Sequence, residues 1–574
     1  MSDDDAGRTG GAPPIDPVTL AVLSGRLEQI ADEMDATLFR SAFNPIIAEA
    51  HDASHGLYHA ATGDTLVQGK QGLPIFVGVM SFAVRAVIAA HDERGIEPLD
   101  GDVWVFNDAH LGGTHLNDMR LVRPYFRDGR LFCWLASVGH WHDLGGGVPG
   151  NYNPAATDAF MEAVVIPPVR LVRAGEPCPD IRAVLMRNTR LPASAEGDLN
   201  GQLGALDLGV RRMDALLDEY GAATVDAALA ALADRAEVLM RDAVASLPDG
   251  TWEAADFLDN DGIVDEPLPV RVALTVAGDR LTLDFDGTAP RARGPVNIAR
   301  PTAIATAYVA IKHLFPDLPA NAGVMRPVDM RVPDGCLLAA DFPAPVGGYT
   351  ETILRMIDVV FRAMARAAPD RAVANAYGTI NALSLAGRRA DGSPWVMFSF
   401  FGGGHGAAAD GDGLNHGNAP ISTATIPPVE ILEAAYPIAF RQWALRPDSA
   451  GAGTHRGGLG ATYELEVLGA GATAFLFGER GRHAPKGVAG GGDATRNVFT
   501  YDGPDGPAHP PMASKMVGIP LARGGRVRLD TPGGGGHGPA AARDPAAVAG
   551  DVAAGYVSPA AADRDYGTIW RSAP

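Results

Sequence analysis

Cysteine is nearly missing from this chain: Cys133, Cys178 and Cys336 are the three thiols in 574 residues. So few, so scattered, build neither a disulfide framework nor a paired-cysteine zinc site, which suits a reducing compartment. Basic charge is short as well. Lys and Arg number 47 against 68 Asp and Glu, and the net charge of −21 argues against nucleic acid and anionic membranes as partners. No apolar run approaches the roughly 18 residues that span a bilayer. The opening MSDDDAGRTGGAPP is acidic and Gly/Pro-rich and has no apolar stretch, so a disordered tail over 1–14 and a cytoplasmic location are expected. Also absent is GxxxxGK[ST], the loop that cradles nucleotide phosphates.

What is abundant is glycine and proline, 70 and 44 residues, about a fifth of the chain. That composition signals many turns. The length is far beyond one core, so roughly three to four domains are expected.

The chemistry concentrates in GDVWVFNDAHLGGTHLNDMRLVRPYF (101–126) and GRLFCWLASVGHWHDLGGGVPG (129–150). These runs hold His110, His115, Asp118, His140, His142 and Asp143. Nitrogen and oxygen ligands at such spacing suit a divalent Zn, Mn or Fe ion. Apolar strand runs flank Arg127-Asp128-Gly129-Arg130, and Asp-Gly between such runs signals a hairpin. With Asp128-Gly129 as a two-residue turn, His115 falls opposite His142, and Asp118 opposite Gly139, beside His140. Register leaves His140 and His142 both open as ligands, because strand neighbours point to opposite faces and a bulge exchanges them. Asp143 is placed to orient a ligand histidine and His142 to act as general acid or base. The alternative for both is that they cap the GGGVPG turn.

Along the chain, Asp16 and Pro17 open a helix over 16–43 with a stripe of Val18, Val22, Leu23, Leu27, Ile30, Met34 and Leu38. Two short strands around Thr62-Gly63-Asp64, a helix over 78–94, helices within 195–247 and a helix over 349–369 follow. From 395 the chain turns strand- and Gly-rich. The fold class expected is α+β, a multidomain mosaic of mixed sheets and helices. Its divisions are a metal-site α+β region (15–195), a central α+β region (196–390) and a Gly-rich, β-dominated region (391–574). Gly533–Gly536 lacks the following Lys of a phosphate loop and reads as a tight turn. Glu479, Arg480 and Arg482 read as a salt-bridged surface or interface. WVMFSFF (395–401) reads as a subunit interface or a buried strand.

The runs DPVTLAVLSGRLEQIADEM, AEAHDASHGLYHAATGDTLVQG, NDAHLGGTHLNDMRLVRPYF, ASVGHWHDLGGGVPG and TPGGGGHG together resemble the hydantoinase B/oxoprolinase family, in order, from about 16 to 567. The resemblance implies a hydantoinase B-like fold and a metal-binding catalytic subunit in a hetero-oligomer. Its partner would be a hydantoinase A-like subunit that binds ATP and phosphorylates a cyclic amide of the hydantoin, lactam or 5-oxoproline type. A subunit of a ketone carboxylase, of the acetone or acetophenone type, is the alternative. The family's ligands carry over to Asp52, His115, Asp118 and His140. KQGLPIFVG (70–78) departs from the family's His-rich stretch, and WVMFSFFGGGHGA lacks an expected Glu-Thr; both make the pocket more apolar.

Overall fold

The computed structural model describes residues 15–572 apart from 419 and 423, so the expected tail over 1–14 lies outside the described residues. The chain is α+β, with helices packed on largely antiparallel sheets. The N-terminal helix, Pro17–Ser41, starts as its sequence dictates: the Asp16 carboxylate accepts from Thr19 N at 2.9 Å and Pro17 sits in the first turn. Leu23, Leu27, Ile30, Met34 and Leu38 are buried. Val18 and Val22, expected on the same stripe, are exposed at its start.

The sheet that carries the site has seven strands in the order β2-β1-β5-β4-β3-β6-β7. They are β1 (Ala53–His59), β2 (Thr65–Gln68), β3 (Val103–Phe106), β4 (Asp118–Arg127), β5 (Arg130–His140), β6 (Val169–Arg173) and β7 (Glu176–Pro177). The N-terminal helix and the Pro192–Tyr220 helix cover one face. The Pro74–Arg94 helix covers the other, backed by the Arg300–Leu314 helix and then the Tyr349–Ala367 helix. Contrary to the expectation of no such run, the Pro74–Arg94 helix is by length and composition able to cross a bilayer. Here its residues from Ile75 to His91 are largely buried against β1, β5 and the Arg300–Leu314 helix.

The β4–β5 hairpin corrects the expected register. Asp128 and Gly129 both have positive φ, 51° and 75°, as a tight two-residue hairpin turn requires. Arg127 pairs with Arg130 and Phe126 with Leu131, as expected. Tyr125 then pairs with Cys133, leaving Phe132 as the extra residue of a bulge. Everything beyond is displaced by one. Asp118 therefore lies opposite His140, not Gly139, and His115 lies in the turn before β4 rather than opposite His142.

Ala382–Arg388 and Pro394–Ser399 form a hairpin that continues into Gly471–Phe477 and Lys515–Ala522, so the boundary expected near 390 falls in the turn between its first two strands. WVMFSFF is resolved as buried strand through Ser399, with Phe400 and Phe401 beyond it: Trp395, Val396, Met397, Phe398 and Phe401 are all enclosed. Gly533–Gly536 is not a tight turn. It runs extended and hydrogen-bonds through backbone alone, Gly534 N to Gly458 O, Gly535 N to Asn375 O and Gly536 N to Gly492 O. A Cβ on Gly534 would stand 1.9 Å from the His405 carbonyl oxygen, so close backbone packing requires glycine there.

Glu479 and Arg480 are interior rather than at a surface. Glu479 pairs with Lys515, and Arg480 joins Arg355, Asp256 and Asp358 in a buried network; Arg482 reaches Asp265 at the periphery. Deleting one member of such a network costs roughly 3–5 kcal/mol, because it strands a buried charge.

Candidate metal centre

Three strand ends build the site. Asp118 is the first residue of β4, His140 is the last of β5, and Asp52 immediately precedes β1. His140 N donates to Asp52 O at 3.1 Å, so Asp52, His140 and Asp118 form one row across three neighbouring strands. The row is pinned from outside. Asn44 Nδ2 donates to His140 O at 2.8 Å, Asn117 Nδ2 to Trp141 O at 2.9 Å, and Trp141 N to Asn117 O at 2.9 Å.

His115 completes the group from the turn. Its Nε2 is 3.1 Å from Asp118 Oδ1, and Thr114 Oγ1 bonds the other carboxylate oxygen. His115, Asp118 and His140 each offer one ligand atom, all within 4.8 Å of one another, and all three are buried. Asp52 stands beside the triad rather than within that radius. Both ring nitrogens of His140 and Oδ1 of Asp52 are buried without a protein hydrogen-bond partner. Polar atoms left this way in an interior are costly unless they meet a ligand. Nitrogen and carboxylate donors in this arrangement fit a divalent ion.

The electrostatics agree. Burial, then the neighbouring His115, pushes His140 down to about 3, so it is a neutral imidazole, the form that ligates. Burial also pulls Asp118 upward, but His115, His140 and Arg120 more than offset it and hold Asp118 below its ordinary value. Asp52 is raised well above its ordinary value by burial and by Asp118. A dication would reverse that balance.

Aromatic rings wall the centre. Phe398 stacks on His140 at 5.3 Å and on Tyr152 at 4.7 Å, and Tyr349 lies 4.9 Å from His115. The apolar 70–78 segment lies alongside: Leu73 N donates to Ala53 O, next to Asp52. Glu351, on the helix that Tyr349 begins, is pushed up to about 8 by burial and by Glu479.

The remaining expected residues are placed as follows. Asp143 accepts from Gly145 N, Gly150 N, Arg190 N and Arg190 Nη1, which is the turn-capping alternative. His142 is neutral, lowered to about 4 by burial, with Nε2 unpartnered and its ring facing Tyr436. His110 lies beside Asp108, outside the triad. His51 stacks on Phe39, and His55 is buried with its Nδ1 hydrogen-bonded to Asp35 Oδ1 at 2.7 Å. Sequence reasoning missed Tyr152, Tyr349, Phe398 and Arg120. NYNP (151–154) after the glycine turn was the available signal for Tyr152; Tyr349 and Phe398 arrive from distant elements and carried none.

The hydantoinase B/oxoprolinase family model matches residues 16–540. The beta subunit of caprolactamase from Pseudomonas jessenii is 32% identical over 97% of this chain and 96% of its own. The B component of a putative D-/L-hydantoinase from a Pseudomonas species is 27% identical over 96% of this chain and 95% of its own. The crystal structure of the ATP-dependent caprolactamase from Pseudomonas jessenii superposes with a TM-score of 0.88, covering 96% of both chains. A nucleotide-free acetone carboxylase shares the fold, with a TM-score of 0.87 at 22% identity, covering 96% of this chain and 79% of that one. This chain belongs to the hydantoinase B/oxoprolinase family.

Proposed function

We propose that this chain is the metal-binding catalytic subunit of an ATP-dependent cyclic amide hydrolase. Its substrate is a hydantoin, a lactam or a 5-oxoproline-type ring, activated by a hydantoinase A-like partner that binds ATP. The observation that carries the reading is the buried His115–Asp118–His140 triad, with both His140 nitrogens unpartnered, in a chain similar from end to end to the caprolactamase beta chain. His115, Asp118 and His140 would hold a divalent Zn, Mn or Fe ion, which would supply Lewis acidity at the carbonyl carbon of the ring to be opened.

The protein's own groups do the rest. Asp118 holds His115 in orientation through Nε2. Tyr152, Phe398 and Tyr349 exclude water from the reacting group and present flat apolar surface to the ring methylenes. His142, neutral with a free Nε2, is the candidate to move the proton that the opened ring nitrogen takes up. Asp143 fixes the segment that carries it. The sequence has no phosphate-cradling loop, which agrees with ATP chemistry residing on the partner.

The test is ATP turnover by the reconstituted two-subunit complex against hydantoin, lactam and ketone panels, with and without bicarbonate. Ring opening coupled to ATP is the expected result. Turnover of a ketone alone, with bicarbonate carbon in the product, would replace this reading with a ketone carboxylase.

A further inference from the structure

Arg120 lies near the centre, where its charge favours the Asp118 carboxylate, but it makes no hydrogen bond to the triad. It stands two residues after Asp118 on the same face of β4 and is fully buried, at 0% exposure. None of its three guanidinium nitrogens has a hydrogen-bond partner among the described residues. Its cross-strand neighbours, Val138 and Phe106, offer apolar side chains, with the Phe106 ring centre 5.7 Å away. The charged and polar groups whose fields reach it are Asp118, Asp108 and Tyr349, and no carboxylate pairs with it directly. Asp118 is engaged by Thr114 and His115, and Asp108 by the His110 backbone.

The loop before β4 is shaped to admit this side chain. A Cβ at Gly113 would lie 2.1 Å from Arg120 Nη2, so glycine at 113 leaves the room the guanidinium occupies against the loop that carries His115. Thr302 Oγ1 donates to Gly113 O at 2.6 Å and holds that loop in place. Tyr349, whose field reaches Arg120, lies 4.9 Å from His115.

A buried cation with five unanswered donors is among the most expensive arrangements a core can hold. A guanidinium is also the side chain whose planar fork matches phosphate oxygens in pairs. We propose that Arg120 is a substrate-binding residue that receives the phosphoryl oxygens of the activated substrate beside the metal position and retains inorganic phosphate after ring opening. The proposal rests on the hydrolase reading above for the identity of its ligand. The shared location explains the pairing of a metal triad with a guanidinium that has no direct hydrogen-bond partner: His115, Asp118 and His140 would hold the ion, and Arg120 would take the oxygens of the activating group.

The probe is inorganic phosphate titrated calorimetrically into the full chain loaded with Zn or Mn, with metal content measured on the same samples. Wild type should bind phosphate saturably. Arg120→Met should weaken it about tenfold or more, the scale of a lost charged hydrogen bond, without loss of metal. Arg120→Lys, which keeps the charge and loses the fork, should fall between. Equal phosphate affinity in Arg120→Met at full metal content overturns the proposal, and so does wild type that binds no phosphate. Bicarbonate bound in an Arg120-dependent way without phosphate overturns it also. Where Arg120→Met does not fold, Arg120→Lys decides: wild-type affinity in that variant refutes the fork. Failure of the hydrolase reading looks different. It is a reconstituted complex that opens no ring while Arg120-dependent phosphate binding persists.

Discussion

Asp118 and His140 face each other across the mouth of the β4–β5 hairpin, the first residue of one strand against the last of the other. The bulge at Phe132 makes them partners. With the plain two-residue-turn register Gly139 would occupy that place and His140 would point to the opposite face. The metal centre thus depends on one extra residue about 25 Å down the strand, at the roughly 3.3 Å per residue of extended chain.

Phe398 stacks on both His140 and Tyr152, so it should position the ligand ring as well as fill space. Phe398→Ala is expected to cost about 3–5 kcal/mol as a buried aromatic truncation and to weaken metal retention. Denaturant titration together with metal analysis checks both. Unchanged metal retention would reduce Phe398 to packing.

The Gly533–Gly536 segment should tolerate no side chain. Gly534→Ala would place a Cβ 1.9 Å from a backbone oxygen that has no room to yield, whereas a Cβ at Gly550 meets nothing within 4 Å. Gly534→Ala is therefore expected to be recovered largely insoluble. Gly550→Ala, inside the Pro545–Ala553 helix, should gain up to about 1 kcal/mol from helix propensity. Soluble expression and thermal unfolding of the pair settle the matter.

Asp198 gives a pH signature. Burial raises it to about 6, against the hydrogen bonds it accepts from Phe43 N and Asn44 N. A carboxyl raised in the folded state favours folding at low pH, and that contribution is lost as pH rises from the unfolded value near 4 towards 6. Asp198→Asn removes the titration and keeps an acceptor oxygen. Its stability relative to wild type should rise between about pH 4 and 6, by up to about 3 kcal/mol at one unit per 1.36 kcal/mol, and stay level above. A flat difference across that range would show that Asp198 is not raised.

Much of this was legible in the sequence because it is local. Asp16-Pro17 fixed the first helix, Asp128-Gly129 fixed the hairpin turn, and the spacing of His115 and Asp118 placed two ligand candidates on one side of it. What could not be read was whatever depends on backbone detail or on distant chain. No residue type marks the bulge that chooses His140 over His142. WVMFSFF could be assigned to the interior, and Phe398 to His140, only once the Pro394–Ser399 strand was in place. Gly533–Gly536 looked like a turn because glycine signals freedom; here it signals contact between backbones. Arg120 was hidden inside MRLVRPYF, where strand alternation alone would have exposed a buried arginine had the face of Asp118 been known.

The most direct test of the account is the metal content of the purified chain. Wild type should carry one divalent ion per chain by elemental analysis, and His140→Ala and His115→Ala should each lose most of it while remaining folded by circular dichroism. Variants that keep a full equivalent of metal, or wild type that takes up none from Zn, Mn or Fe buffers, would contradict the central claim.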